Sequence, residues 1–156
     1  MERKLKKVAD SETEQVQVVM AGHINGAGRL FGGQLMAWID VVAAVTARRH
    51  SGRNVTTAAV DHLEFKTAAY ANEALILKGR VTWVGRTSME VRVDSFAEGL
   101  DGSRKLINRA YVVLVAIDEQ ERPVEVPGLE LVTEEDFAEW KAGEIRHEQR
   151  RKASKA

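Results

Sequence analysis

"GGQLMAWIDVVAAVTARRHSG", residues 32–52, is the stretch whose reading decides the fold. Leu35, Ile39, Val42 and Thr46 fall on one stripe at helical spacing, with Met36, Ala43 and Ala47 beside it. The small residues imply that something packs closely over that face. Arg48, Arg49 and His50 put cations in the last turn, and Gly52 supplies a stop. This helix is apolar round too much of its surface to lie on the outside of a protein, so a sheet must wrap it. Just upstream, "HINGAGRLFGG", residues 23–33, carries four glycines within eight residues, which is expensive in ordered backbone. Seven residues into the helix, Asp40 stands among Met, Ala, Trp, Ile and Val, and a lone acid on an apolar face is costly to bury. A Gly-rich helix start followed by such an Asp points to chemistry rather than to capping.

Working outward, the remaining sequence reads as strands. "TEQVQVVM", residues 13–20, alternates, as does "ALILKGRVTW", with Leu75, Leu77, Val81 and Trp83 opposed to Lys78, Arg80 and Thr82. "NVTTAAVDHLEFKT" is β-branched, and "TSMEVRVDSF" sets Met89, Val91 and Val93 against Glu90, Arg92 and Asp94. "KLINRAYVVLVAID" is apolar on both faces through residues 111–117 and should be a central strand. Strand, helix, then a meander of long strands predicts a two-layer α+β domain: an antiparallel sheet wrapped around one long central helix. We expect residues 1–11 to be a flexible charged end, 12–127 the domain, and 128–156 a charged C-terminal helix and tail. In that helix Thr133 is the cap, Phe137 and Trp140 are the docking side chains, and the basic "RHEQRRKASK" is a solvated end.

Composition closes off other classes. The 156 residues suit one domain, and equal numbers of Lys+Arg and Asp+Glu, 23 each, argue against a nucleic-acid binder driven by bulk charge. The absence of cysteine excludes disulfides, thiolate metal sites and a Cys nucleophile. The four histidines show no i,i+4 pairing, so no metal is expected. The basic N-terminus lacks an apolar signal region, and no apolar run approaches the ~18–20 residues that span a bilayer, so a cytoplasmic protein without membrane partner is expected.

At residues 25–50, "NGAGRLFGGQLMAWIDVVAAVTARRH" resembles the helix motif of the acyl-CoA thioester hydrolases of hot dog fold, the branch of the bacterial YciA-like enzymes and the animal cytosolic acyl-CoA hydrolases. Asn25, Gly28, Phe31, Gly32, Gly33, Leu35, Met36 and Asp40 carry the match. "VGRTSMEV", residues 84–91, resembles the second recurring segment of that family, and "VTTAAVDHLEF" a third. One departure is "AAYANEAL", where the family carries a Pro and a Gly-Asp turn; it bears on the shape of that loop. The resemblance implies a hot dog domain that hydrolyses acyl-CoA, in paired protomers with sites at the dimer seam, often as a trimer of dimers. No cofactor is implied, since CoA belongs to the substrate.

Thioester hydrolysis needs an attacking group and a stabilised oxyanion. Asp40 fits the first as general base or as nucleophile, with apolar neighbours expected to raise its pKa. Gly32 and Gly33, whose amides point out of the helix start, fit the second. Asn25 can orient water or the substrate carbonyl through its amide. His23 is expected to be structural, Trp38 either packs or narrows an acyl tunnel, and Arg86, Thr87 and Ser88 are the expected CoA contacts. Gly32 and Asp40 are eight residues apart, roughly 12 Å along a helix at ~1.5 Å per residue. One thioester carbon cannot easily touch both, and a two-fold partner with an antiparallel helix removes the difficulty. Three other readings compete. "GAGRLFG" is a loose dinucleotide fingerprint, but no βαβ repeat follows it. A dehydratase would need a catalytic His such as His23 beside Asp40. A non-catalytic acyl-CoA or nucleotide-binding hot dog protein is the alternative that turnover would exclude.

Overall fold

The computed structural model describes residues 3–155. In chain order its elements are β1 (Leu5–Lys7), β2 (Thr13–Val18), α1 (Gly32–Ser51), β3 (Asn54–Phe65), β4 (Ala74–Val84), β5 (Ser88–Glu98), β6 (Arg104–Ile117), β7 (Gly128–Glu130) and α2 (Glu134–Ser154), with 3-10 turns at Val8–Asp10 and Ala21–His23. Five strands form one antiparallel sheet in the order β2-β4-β5-β6-β3. The sheet curls around α1, and the core lies between them. Leu35, Ile39, Val42, Ala43, Thr46 and Ala47 are the helix residues driven inward, against Leu77, Val81, Val91, Val93, Val112 and Leu114 of the strands. Burying each large aliphatic side chain contributes about 1.5–3 kcal/mol before entropy is counted. The helix can sit this deep because β4 has Gly79 beneath it: a Cβ there would come within 2.5 Å of Thr46 Oγ1 and 2.9 Å of Val42 Cγ1. Gly52 ends α1 in the left-handed region at φ 67°, its amide returning to the Arg48 carbonyl at 2.8 Å.

β2 and β3 form the two edges of this sheet. β3 is the longer, at 12 residues, and it is irregular. Its pairing with β6 slips between Asp61 and Glu64, where His62 takes φ 49°, a backbone region that side chains rarely adopt. The "AAYANEAL" loop closes without the Gly of the family pattern because Asn72 accepts the left-handed conformation at φ 71°, its amide bonding the Val19 carbonyl.

Three expectations are corrected. The N-terminal segment is not a loose end: residues 1 and 2 lie outside the described residues, but β1 pairs in parallel with β7, Val8 is buried, and Arg3 Nε donates to the Val126 carbonyl at 2.7 Å. The C-terminal basic run is solvated only in part: Arg151, Lys152 and Lys155 are exposed, but Arg146 and Arg150 are half-buried. α2 continues to Ser154 and lies on the outer face of the sheet, where Arg146 and Arg150 are spent on a carboxylate beneath it. That carboxylate is Glu90, 0% exposed. It receives Arg146 Nε and Nη2 at 2.9 and 2.7 Å, Arg150 at 3.2 Å and the Thr82 hydroxyl at 2.6 Å. The last correction concerns docking. Trp140 packs on Trp83 at 5.9 Å between ring centroids, but Phe137 points to solvent. Gly143 supplies the close approach instead, since a Cβ there would meet Trp83 Cβ at 2.7 Å.

α2 starts as the sequence indicates. Thr133 Oγ1 accepts from the Asp136 amide at 3.0 Å, and the Asp136 carboxylate accepts from the Thr133 amide at 3.1 Å, a reciprocal cap. The acids of this first turn then meet a problem set by the sheet. Arg80 and Arg92 stand directly opposite each other across β4 and β5, a like-charge pair that would repel. Asp136 pairs with Arg80 at 2.6 Å, and Glu135 reaches Arg80 at 3.1 Å and Arg92 at 3.2 Å. The helix is therefore held acid-on-Arg at its start and Arg-on-acid at its end, which fixes its direction.

Candidate active site

The Gly-rich loop is tied into a compact turn by its own Asn. Asn25 Oδ1 accepts from the amides of Ala27 at 2.9 Å and Arg29 at 3.2 Å, while the Asn25 amide donates to the Arg29 carbonyl at 2.7 Å. The side-chain oxygen is thus occupied, leaving the Nδ2 amide of an exposed residue to serve a ligand. His23 is held on the same loop. Its Nδ1 accepts from the Met20 amide at 3.0 Å and its ring stands edge-on to Trp38, 4.9 Å between centroids. Trp38 itself is buried in the core cluster and packs there.

Phe31 precedes the first turn of α1 and supplies no side-chain cap, so the leading amides of Gly32 and Gly33 have no capping acceptor. Gly32 and Asn25 open on a common cleft of about 380 Å³ between the helix start and residues 65–69. Gly33, next in the turn, is exposed, and a Cβ there would lie 2.5 Å from the Phe31 ring.

Asp40 stands two turns further along α1, away from this cleft. It is exposed on the protomer, which corrects the expectation of an acid desolvated by apolar neighbours within its own chain. Its Oδ1 accepts a hydrogen bond from Thr57 Oγ1 of β3 at 2.7 Å, so the carboxylate is aimed rather than free. Thr57 is a partner of Asp40 that the sequence does not announce. It lies in a β-branched run, "NVTTAAV", in which a site Thr looks like any strand Thr, and only the tertiary pairing singles it out.

Arg86 and Thr87 lie in the tight turn between β4 and β5, Ser88 opens β5, and none of the three is brought to the Asn25–Gly32 cleft. Ser88 pairs with Val115, which on its other side pairs with Thr56. The turn is therefore two strands, roughly 10 Å, from the neighbour of Thr57. Arg86 is exposed, and its carbonyl accepts from the Val126 amide at 2.9 Å. Among the described residues no group of three or more His, Cys, Asp or Glu could hold a metal ion.

A family model described as the thioesterase superfamily matches residues 27–102, which contain the Gly-Gly turn, Asp40 and Thr57. A solved apo-hexameric acyl-CoA thioesterase superposes with TM-score 0.93 and 38% identity, covering 97% of both chains. The chain belongs to the thioesterase superfamily. A Bacillus subtilis member of that superfamily, named as an uncharacterized acyl-CoA thioester hydrolase, is 39% identical over 114 residues. That match covers 72% of this chain and 66% of the Bacillus protein; longer relatives are spanned less, as with a mouse acetyl-coenzyme A thioesterase of which 24% is matched. An acyl-CoA hydrolase from Staphylococcus aureus, solved with butyryl-CoA, CoA and CoA disulfide, superposes with TM-score 0.91 at 28% identity, over 96% of this chain and 92% of that one. Variants of that hydrolase with Ala in place of an Asn, an Asp and a Thr have also been solved. Those three positions are spaced by 15 and then 17 residues, as are Asn25, Asp40 and Thr57 here.

Proposed function

We propose that this chain hydrolyses acyl-CoA thioesters, releasing free CoA and a carboxylic acid, at sites built from two copies of itself. The observation that carries the reading is the Thr57–Asp40 hydrogen bond, which aims a carboxylate from the middle of α1 on a chain whose uncapped helix start carries Gly-Gly. The spacing shared with the altered Asn, Asp and Thr of the Staphylococcus hydrolase supports the same three residues.

In this reading Asp40 acts on the thioester carbonyl, as general base toward a water or as the nucleophile itself. By the first route the water oxygen bonds to the carbonyl carbon while its proton passes to Asp40. The oxyanion is held by the Gly32 and Gly33 amides, whose alignment at the helix start favours negative charge. The C–S bond then breaks, and the CoA thiolate leaves without a strong acid to expel it. Asn25 orients the carbonyl or the water through its free Nδ2. Arg86, Thr87 and Ser88 hold part of the CoA, which suits a turn two strands from Thr56. No cofactor or metal enters the scheme.

The cleft with Asn25 and Gly32 lies roughly 12 Å along the helix from Asp40, so the complete site joins the cleft of one chain to the Asp40–Thr57 pair of its partner. The exposed edge of β3, with Val60 and Leu63, and the exposed Val41 of α1 are the apolar surface for that partner. A hexameric relative at TM-score 0.93 supports a trimer of such dimers. The test is release of free thiol from butyryl-, octanoyl- and palmitoyl-CoA by purified protein without added metal. Release from at least one ester is expected; survival of all three would sink the proposal.

A further inference from the structure

Phe65 is placed oddly for so large an apolar side chain. It ends the long edge strand, is 55% exposed, and its ring stands 4.0 Å from where a Cβ of Gly32 would be. A regular strand would not bring it there. The slip between Asp61 and Glu64, with His62 at φ 49°, turns the end of β3, and such irregularities re-aim side chains beside sites. The new path is then locked on both sides of the phenyl. Asn108 Nδ2, on a fully buried residue, donates to the Glu64 carbonyl at 2.6 Å, and the Lys66 amide donates to the Ile107 carbonyl at 2.7 Å. A strained residue and a buried amide are thus spent on holding one half-exposed phenyl over the helix start.

The cleft below it explains the arrangement. Its mouth carries Gly32 and Asn25, and its floor is Leu35, Ala69 and Ile107, each 1–2% exposed and continuous with the packed core. A group lying on the Gly32 amide with an apolar tail has one apolar recess to enter, and Phe65 is its wall. Resting on the hydrolase reading above, we infer that Phe65 is a specificity-determining residue that restricts this recess to short, straight acyl groups. The closed floor stops the chain end, and the phenyl narrows the path beside it.

The test compares the wild-type protein with Phe65→Ala and Phe65→Leu on butyryl- and octanoyl-CoA. In parallel, binding of the unreactive thioethers butyl-CoA and octyl-CoA is measured by calorimetry. A hydrophobic pocket resolves each methylene by roughly 10-fold or more, so Phe65→Ala should raise the octanoyl-to-butyryl ratio of kcat/KM, and the octyl-to-butyl ratio of affinity, by ~10-fold or more. Phe65→Leu should fall between. If both ratios stay at the wild-type value while all rates fall together, or if the change is confined to the mass of the assembly, Phe65 is an interface or packing residue and the inference fails. If wild-type protein turns over no ester, the hydrolase reading fails by itself, and the thioether affinities still decide the role of Phe65.

Discussion

Thr57 and Asp40 meet across 17 residues of sequence through one 2.7 Å hydrogen bond, and the chemistry proposed for the chain narrows to that contact. The hydroxyl donates to one carboxylate oxygen and leaves the other for water. Replacing Asp40 by Asn keeps the shape and removes the base. The expected result is a kcat lower by ~10²-fold or more with the fold intact by circular dichroism. Thr57→Val should keep KM near the wild-type value and lower kcat by up to ~10²-fold, since a small misplacement of a reacting group is costly, and Thr57→Ser should restore it. Near-normal kcat in Asp40→Asn would remove Asp40 from the mechanism. Asp40 was legible from sequence because an acid contradicts its apolar neighbours. Thr57 was not, because a Thr agrees with its β-branched neighbours. Asn25 stands out in the sequence by the Gly-rich run it opens, whereas the use of its own oxygen to tie the loop appears only in three dimensions.

Between residues and the molecule stand the elements, and here legibility followed the range of the interactions. α1 and the cap of α2 are written in local spacing and were readable. β1 is three residues long, two of them Lys, and exists only because β7, more than a hundred residues later, lies beside it. The alternation of β5 correctly assigned Glu90, Arg92 and Asp94 to the face away from α1, but alternation cannot say that a second helix will cover that face. Removing one partner of such a buried pair leaves an uncompensated charge, at a cost of about 3–5 kcal/mol, which is why α2 belongs to the domain. The end of α1 carries a further consequence. His50 is buried, its Nε2 lies 2.9 Å from the Pro127 carbonyl, and burial holds its pKa below the ordinary value despite that bond, with Lys6 and Arg3 adding to the lowering. The unfolded chain takes up a proton near pH 6.5 where the folded one does not, so stability is full above that value and is lost as pH falls below it. His147, stacked on Trp83 and lowered chiefly by its own burial, acts in the same direction. Thermal midpoints measured from pH 7.5 down to 5.5 should therefore fall, and His50→Gln should flatten that slope without abolishing it. Parallel slopes in the two proteins would contradict the assignment.

For the whole molecule, the proposed shared site makes a prediction that no single-chain site can satisfy. Asn25→Ala and Asp40→Ala should each be nearly inactive alone. Unfolded together in equal amounts and refolded, they pair at random and make about half of the dimers mixed, each with one site carrying both changes and one carrying neither. Activity per chain should recover to roughly a quarter of wild type. If both residues of a site came from one chain, activity would stay at the level of the single variants; mass measurement of the mixed species confirms that exchange took place. The open edge of β3 extends this dependence to the life of the chain before assembly. Twelve residues of strand edge offer unpaired backbone to whatever extended segment arrives first. Meeting a second copy scales with the square of concentration, whereas misdirected pairing with other unfolded chains scales with how crowded the surroundings are. If a second copy is the native partner of that edge, yield in a cell becomes a race between those two encounters.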